Sequence, residues 1–151
     1  MSDANLSGAF LYRVDLSNAD LHYALLSNAF LTDASLVGAN LRLALLSSAN
    51  LSHTNLAQAN LTQANLDSAV LSNSDLSGTT LGGAKLKDAE LYQTNLGGAN
   101  LTYADLYNAD LSNADLNNAD LRGAAGVTVE QLEREARSLK GATMPNGSKH
   151  P

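Results

Sequence analysis

Leucine recurs at every fifth position from Leu6 to Leu121, and no other feature of the chain constrains its fold as strongly. The 24 leucines follow one another in this register without insertion, deletion or substitution. A small residue stands two positions before each leucine (Ala in 19 cases), and Asn or Asp stands directly before it in 15 cases. The repeating unit is therefore A-[N/D]-L-x-x.

A period of five residues fits neither a helix nor a single strand. A helix turns once every ~3.6 residues, so leucines spaced by five would scatter around its axis. A strand alternates between two faces, so successive leucines would point to opposite sides. The chain must instead turn once per repeat. We therefore predict stacked coils in which each leucine and the small residue before it face inward, while the intervening Asn or Asp favours the turn.

The unbroken run of these units over residues 4–123 resembles the pentapeptide-repeat family. The resemblance implies an all-β fold, a right-handed, parallel, four-sided β-helix with four repeats per coil and hence about six coils. On this basis we expect the β-helix over residues 4–125, a short C-terminal capping α-helix over 126–141 and a tail over 142–151.

Helix signals follow the last repeat. Thr128 and Gln131 have the spacing of a capping box, and Gly141 is a plausible stop. We expect this helix to cover the last leucine layer, and residues 142–144 to imitate one further A-x-L unit. The apolar residues that would face the core from one side of the helix are Val129, Leu132, Ala136 and Leu139.

The N-terminal coils differ from the others in their outward positions. With four repeats per coil, residues 20 apart in sequence stack in one column along the axis. The apolar residues that replace Asn or Asp before a leucine in the first coils therefore lie in two neighbouring columns, and further apolar residues lie in the turns beside these columns. We expect this patch, next to an end without a comparable cap, to mediate self-association or to bind a partner protein. The candidate interface consists of Phe10, Tyr12, Tyr23, Leu25, Phe30, Leu43 and Leu45.

The charge is predominantly negative. Residues 1–123 carry 12 acidic and 5 basic residues, and the whole chain has a formal net charge of −6, which argues against binding nucleic acid through phosphate contacts. The resemblance implies one alternative, since some pentapeptide-repeat proteins bind DNA gyrase by imitating the shape and charge of DNA. The densest acidic group forms a belt around the last coils rather than a stripe along the axis: Asp105, Asp110, Asp115 and Asp120.

The sequence offers no support for catalytic, metal or cofactor chemistry. The chain has no Cys, which excludes disulfides and thiolate sites, and its three His are far apart in sequence. Phosphate-binding Gly-rich loops, nucleophile elbows and HExxH motifs are absent. No apolar run approaches the ~20 residues of a membrane span. The absence of a signal-peptide pattern predicts a cytoplasmic location, and the last residues resemble the ends of bacterial family members.

We therefore expect a non-enzymatic, rigid solenoid that acts as a protein–protein interaction or scaffold module and self-associates through its N-terminal coils. We expect no metal, cofactor, nucleic acid or membrane partner, and the sequence does not name the protein partner. The alternative is a DNA-mimic modulator of DNA gyrase or topoisomerase.

Overall fold

The computed structural model describes residues 1–151, and the chain winds into a right-handed, four-sided, parallel β-helix. Single-residue parallel bridges join each residue before a leucine to the residue 20 positions later, from Asn5–Leu25 through Asp105–Ala125. Four repeats therefore complete one coil, and the 24 repeats build six coils, as predicted. The sides are numbered by their first bridge residue: side 1 by Asn5, side 2 by Phe10, side 3 by Asp15 and side 4 by Asp20.

A hydrogen-bonded turn closes each repeat and forms the corner between two sides. In the first repeat the amide of Ala9 donates to the carbonyl oxygen of Leu6 at 3.0 Å, and Gly8 between them has φ 66. A positive φ at the third turn position is characteristic of type II turns. The residue before the leucine supports the next turn, as where Asp15 Oδ1 accepts the amide hydrogen of Ser17 at 3.0 Å. The Asn or Asp of the repeat is thus a turn-stabilising residue.

Leucines and small residues fill the interior. Every repeat leucine from Leu21 to Leu121 is at most 1% exposed, whereas the first three leucines, Leu6, Leu11 and Leu16, are partly buried. Polar residues replace Ala at four inward positions, and each hydroxyl donates to a backbone carbonyl, as Thr54 Oγ1 does to the Leu31 oxygen at 2.8 Å. Since every buried side-chain N or O atom has a partner, these substitutions leave no unpaired polar atom in the core.

A single helix, α1 (Val129–Glu135), takes the place of side 2 above the sixth coil. Its N-cap Thr128 accepts the amide hydrogen of Gln131 on Oγ1 at 3.1 Å, as the capping-box spacing predicted. The Leu132 side chain is 1% exposed. The helix therefore covers the last leucine layer with the apolar side of a short amphipathic segment.

The predicted continuation of this helix to Gly141 is wrong. Ala136 already has extended backbone, with φ −70 and ψ 144. The amide of Arg137 then donates to the carbonyl oxygen of Ala114 at 2.8 Å, which returns the chain to the coil wall. This path buries Leu139 to 6% exposure in the stack. The burial of Leu139 in the core and the hydrogen bond to the coil wall therefore outweigh the helical pattern of apolar residues after Glu135.

Residues 137–145 rebuild two sides of a seventh coil. The helix uses three residues more than the repeat it replaces, so the bridges at this level join residues 23 apart. The predicted A-x-L unit at 142–144 is confirmed, since its two apolar side chains are at most 1% exposed. The tail then folds back, and Lys149 pairs antiparallel with Thr143. The bridges of the seventh coil are Asp115–Ser138 and Asp120–Thr143.

Candidate interaction surface

The predicted columns exist, because the bridges join the outward residues one above another. On side 2, Phe10 pairs with Phe30, which pairs with Asn50. On side 1, Leu25 pairs with Leu45. Apolar residues spaced 20 apart in sequence are therefore direct neighbours along the axis, at the strand spacing of about 4.8 Å.

Three aromatic rings form a stack on side 2 and its corner with side 3. The ring centroids of Phe10 and Phe30 are 5.0 Å apart and the rings are 8° from parallel. The Tyr12 ring lies 6.0 Å from Phe10 and 5.9 Å from Phe30. Phe10 is 73% and Tyr12 is 53% exposed, while Phe30 is half-buried. We call these three residues the aromatic stack.

A second apolar surface lies on side 1 and its corner with side 4. Leu25 and Leu45 are exposed on the side, and Tyr23 is exposed at the corner beside them. Leu43 is half-buried one coil above Tyr23. We call these four residues the leucine surface.

A polar corner separates the two surfaces. Ser27 and Ser47 stand at the corner between sides 1 and 2, and their Oγ atoms are 3.1 Å apart. The seven predicted residues are thus all on the surface of the first three coils, but they form two apolar surfaces on adjacent sides. One flat partner surface cannot cover both sides of a four-sided solenoid at once.

Charged residues border both surfaces. Next to the aromatic stack, Arg13 Nε lies 3.7 Å from Asp33 Oδ2, one coil above it. Near the leucine surface, His22 Nδ1 lies 2.7 Å from Asp20 Oδ1, and Asn40 Nδ2 donates to the same oxygen at 2.9 Å. The hydrogen bond from His22 holds the pKa of Asp20 below its ordinary value, with the Asn40 amide adding to the effect.

The acidic belt of the last coils is partly neutralised by arginines. Arg137 Nη2 lies 2.8 Å from Asp115 Oδ2, and Arg122 Nη2 lies 2.6 Å from Asp120 Oδ2. The hydrogen bonds from Arg122 lower the pKa of Asp120. Two of the four carboxylates in the belt therefore face a cation rather than open solvent.

Sequence reasoning missed a group of exposed tyrosines in the later coils. Tyr103 is 77% and Tyr107 is 56% exposed. Both occupy turn positions after a leucine, where variable residues obscure a column pattern. Tyr103 lines a shallow depression of about 460 Å³ together with Gly82 and Gly83.

The side chains form no metal-binding cluster. No group of three His, Asp, Glu or Cys side chains is placed to hold a metal ion. The second depression, about 320 Å³, lies beside α1 and includes Glu133, whose Oε1 is 3.8 Å from His150 Nε2. No helix has both the length and the apolar character that a membrane crossing requires.

Comparison with known proteins agrees with this architecture. Residues 1–33, 24–63, 44–83 and 89–124 match the sequence profile of pentapeptide repeats, in eight copies. The chain is 36% identical to HetL, a pentapeptide repeat protein involved in heterocyst differentiation regulation from the cyanobacterium Nostoc sp. strain PCC 7120. The alignment covers 99% of this chain and 76% of HetL, with a TM-score of 0.62.

Two further solved structures are similar over most of their length. A pentapeptide repeat protein from the Arabidopsis thaliana thylakoid lumen is 22% identical, over 98% of this chain and 81% of that one, with a TM-score of 0.45. A plasmid-mediated fluoroquinolone resistance protein is 16% identical, over 97% and 88%, with a TM-score of 0.45. No curated protein sequence matched. The repeat profile and the similarity to HetL show that this chain belongs to the pentapeptide repeat family.

Proposed function

We propose that the protein is a rigid, non-enzymatic interaction module that binds another protein through the apolar surfaces of its first three coils. One observation carries the proposal: four of the six outward bridge positions on sides 1 and 2 of the first three coils hold large apolar side chains, whereas the same positions in the three coils above carry polar or charged residues except for Val70. On side 1, Leu25 and Leu45 are followed by Asn65, Lys85 and Asp105. Exposed apolar patches of this kind are typical of protein contact sites.

The rigidity of the support adds to the proposal. Backbone hydrogen bonds link every coil to the next, and the interior contains no unpaired polar side-chain atom. A surface held in this way loses little conformational entropy when a partner binds. HetL is involved in heterocyst differentiation regulation, and an interaction module is compatible with a regulatory role for this chain.

The alternative of DNA mimicry has weaker support from the surface. An imitation of DNA needs carboxylates arrayed along the axis, whereas Asp115 and Asp120 belong to a belt and are paired with arginines. We therefore place the interaction surface in the N-terminal coils and not in the acidic belt.

The test is a capture assay with the purified protein and lysate of its source cell. We expect Leu25→Glu combined with Leu45→Glu to lose partners that the wild type retains, because two charges would be placed on the leucine surface. The matched control carries Asn65→Glu and Lys85→Glu on the same side, in the next coils. Equal partner recovery by the wild type and the leucine double variant, with unchanged thermal stability, would refute this assignment.

A further inference from the structure

The corner beside the aromatic stack carries opposite charges in one column. Arg13 and Asp33 occupy the same turn position in successive coils, and their side chains are 83% and 48% exposed. Their 3.7 Å separation joins only Nε and Oδ2, so both groups retain free hydrogen-bonding capacity towards solvent. Along the axis, a positive group is therefore followed by a negative one, at the corner that adjoins Tyr12 of the aromatic stack.

This order is self-complementary under a two-fold rotation. A two-fold axis that lies in the interface plane, perpendicular to the solenoid axis and level with the midpoint between the two coils, reverses the order of residues within each column when a second copy faces the first. Arg13 of one copy then faces Asp33 of the second copy, and the same contact occurs a second time by symmetry. The same rotation places Phe10 of one copy opposite Phe30 of the other, so ring surface meets ring surface.

We propose that side 2 of the first two coils binds a second copy of this chain, with the two solenoids antiparallel. The proposal deepens the proposed function by naming the partner of the aromatic stack, and it rests on that function only in treating this surface as a contact site. A second copy supplies both the rings and the reversed charge order by symmetry, whereas an unrelated partner would need to match each separately.

The association is weak and depends on concentration. The contact spans two coils, about 10 Å along the axis, and so buries much less than the roughly 800 Å² per partner of a standard interface. Above it, the column continues with the polar Asn50, the apolar Val70 and the negatively charged Glu90, so the apolar pair Phe10 and Phe30 is bounded by Asn50. The aromatic stack and the two Arg13–Asp33 contacts therefore carry the affinity.

The test uses charge reversal and mixing. Arg13→Glu and Asp33→Arg, each studied alone, place like charges opposite one another, and we expect each to weaken self-association by about tenfold or more. Mixed together, the two variants restore both contacts. The glutamate introduced in one variant faces the arginine introduced in the other, and the unchanged Asp33 and Arg13 face each other. Sedimentation velocity with one variant fluorescently labelled measures the mixed dimer, at protein concentrations up to about 1 mM.

The mixing step separates an interface from a structural role of the ion pair. An ion pair needed only within one chain is broken in both variants and is not repaired by mixing. Arg42→Glu, which makes the same charge change at a different corner, is the matched control and should leave the association unchanged. A wild type that stays monomeric at about 1 mM, or a mixture no more associated than its components, would overturn the proposal. Neither result affects the capture assay on the leucine surface, which decides the proposed function by itself.

Discussion

The repeat coils and the C-terminal segment extend the same core by different means. In the coils, each five-residue unit forms its own turn and contributes one leucine and one small residue. In residues 126–150, a helix, two resumed sides and a returning tail together replace one coil. The coils show that a local repeat can specify a structure unit by unit, whereas the C-terminal segment has no such repeat and follows a path set by its contacts with the coil below it.

The largest effect should follow a change in the interior of the coils. Ala64 and Leu66 are both 0% exposed. Leu66→Ala leaves a cavity and should cost about 2–5 kcal/mol. Ala64→Phe should cost more, because hydrogen bonds hold the walls on all sides and the interior cannot expand to admit a ring. Chemical denaturation of both variants measures the order, and equal losses would contradict a rigid interior.

The same kind of change in the C-terminal segment should cost less. Leu132 is 1% exposed, yet it belongs to a helix that covers only one end of the stack. We expect Leu132→Ala to lower the unfolding free energy by about 2 kcal/mol, at the low end of the range for buried leucines, because the lid can settle into the space. Hydrogen exchange should show the loss confined to α1 and the adjoining coil. Loss of protection throughout the stack would show that the lid and the coils unfold as one unit.

A turn residue in the coils offers a gain in stability. Leu43 has φ 60, a conformation that costs a branched side chain about 1–2 kcal/mol and that Asn tolerates. Leu43→Asn should therefore raise the unfolding free energy by about 1 kcal/mol. Leu45→Asn makes the same side-chain change at a bridge position without a positive φ, where no such gain is expected. Equal effects of the two variants on the melting temperature would argue against relief of backbone strain.

The smallest expected effect is a pH dependence at the junction of the two regions. Arg122 holds the pKa of Asp120 below its ordinary value in the folded protein. As the pH falls, Asp120 is therefore protonated in the unfolded chain before it is protonated in the folded protein. The stabilisation by the Arg122–Asp120 pair is complete above the ordinary carboxyl pKa of about 4 and is lost as the pH falls through the lowered pKa of the folded state. Asp120→Asn should be less stable than the wild type at neutral pH, and the difference should shrink on acidification.

A matched substitution checks the origin of this effect. Asp110 belongs to the same acidic belt and accepts a hydrogen bond from the Ser112 amide, but it has no arginine partner. Asp110→Asn should therefore lower the stability at neutral pH less than Asp120→Asn does. Thermal melts from about pH 2 to 7 measure both; identical profiles would show that the arginine contributes nothing.

The sequence alone determined the interior and the columns. The spacing of the leucines predicted which residues face inward, and the resemblance to the family supplied four repeats per coil. Together they placed Phe10 and Phe30 in one column, as neighbours along the axis. This was possible because every repeat meets the same surroundings, so a local period carries the information that a globular core distributes over distant segments.

The tertiary structure decided the remainder. The spacing already placed the apolar residues on two neighbouring columns, but the hydrogen bond between Ser27 and Ser47 at the corner between them is a side-chain contact that the spacing does not specify. α1 ends at Glu135 because the wall of the sixth coil offers hydrogen bonds and the core has room for Leu139. The spacing of apolar residues can indicate a helix, but it carries no information about the hydrogen bonds and core space that the stacked coils offer to the residues after Glu135.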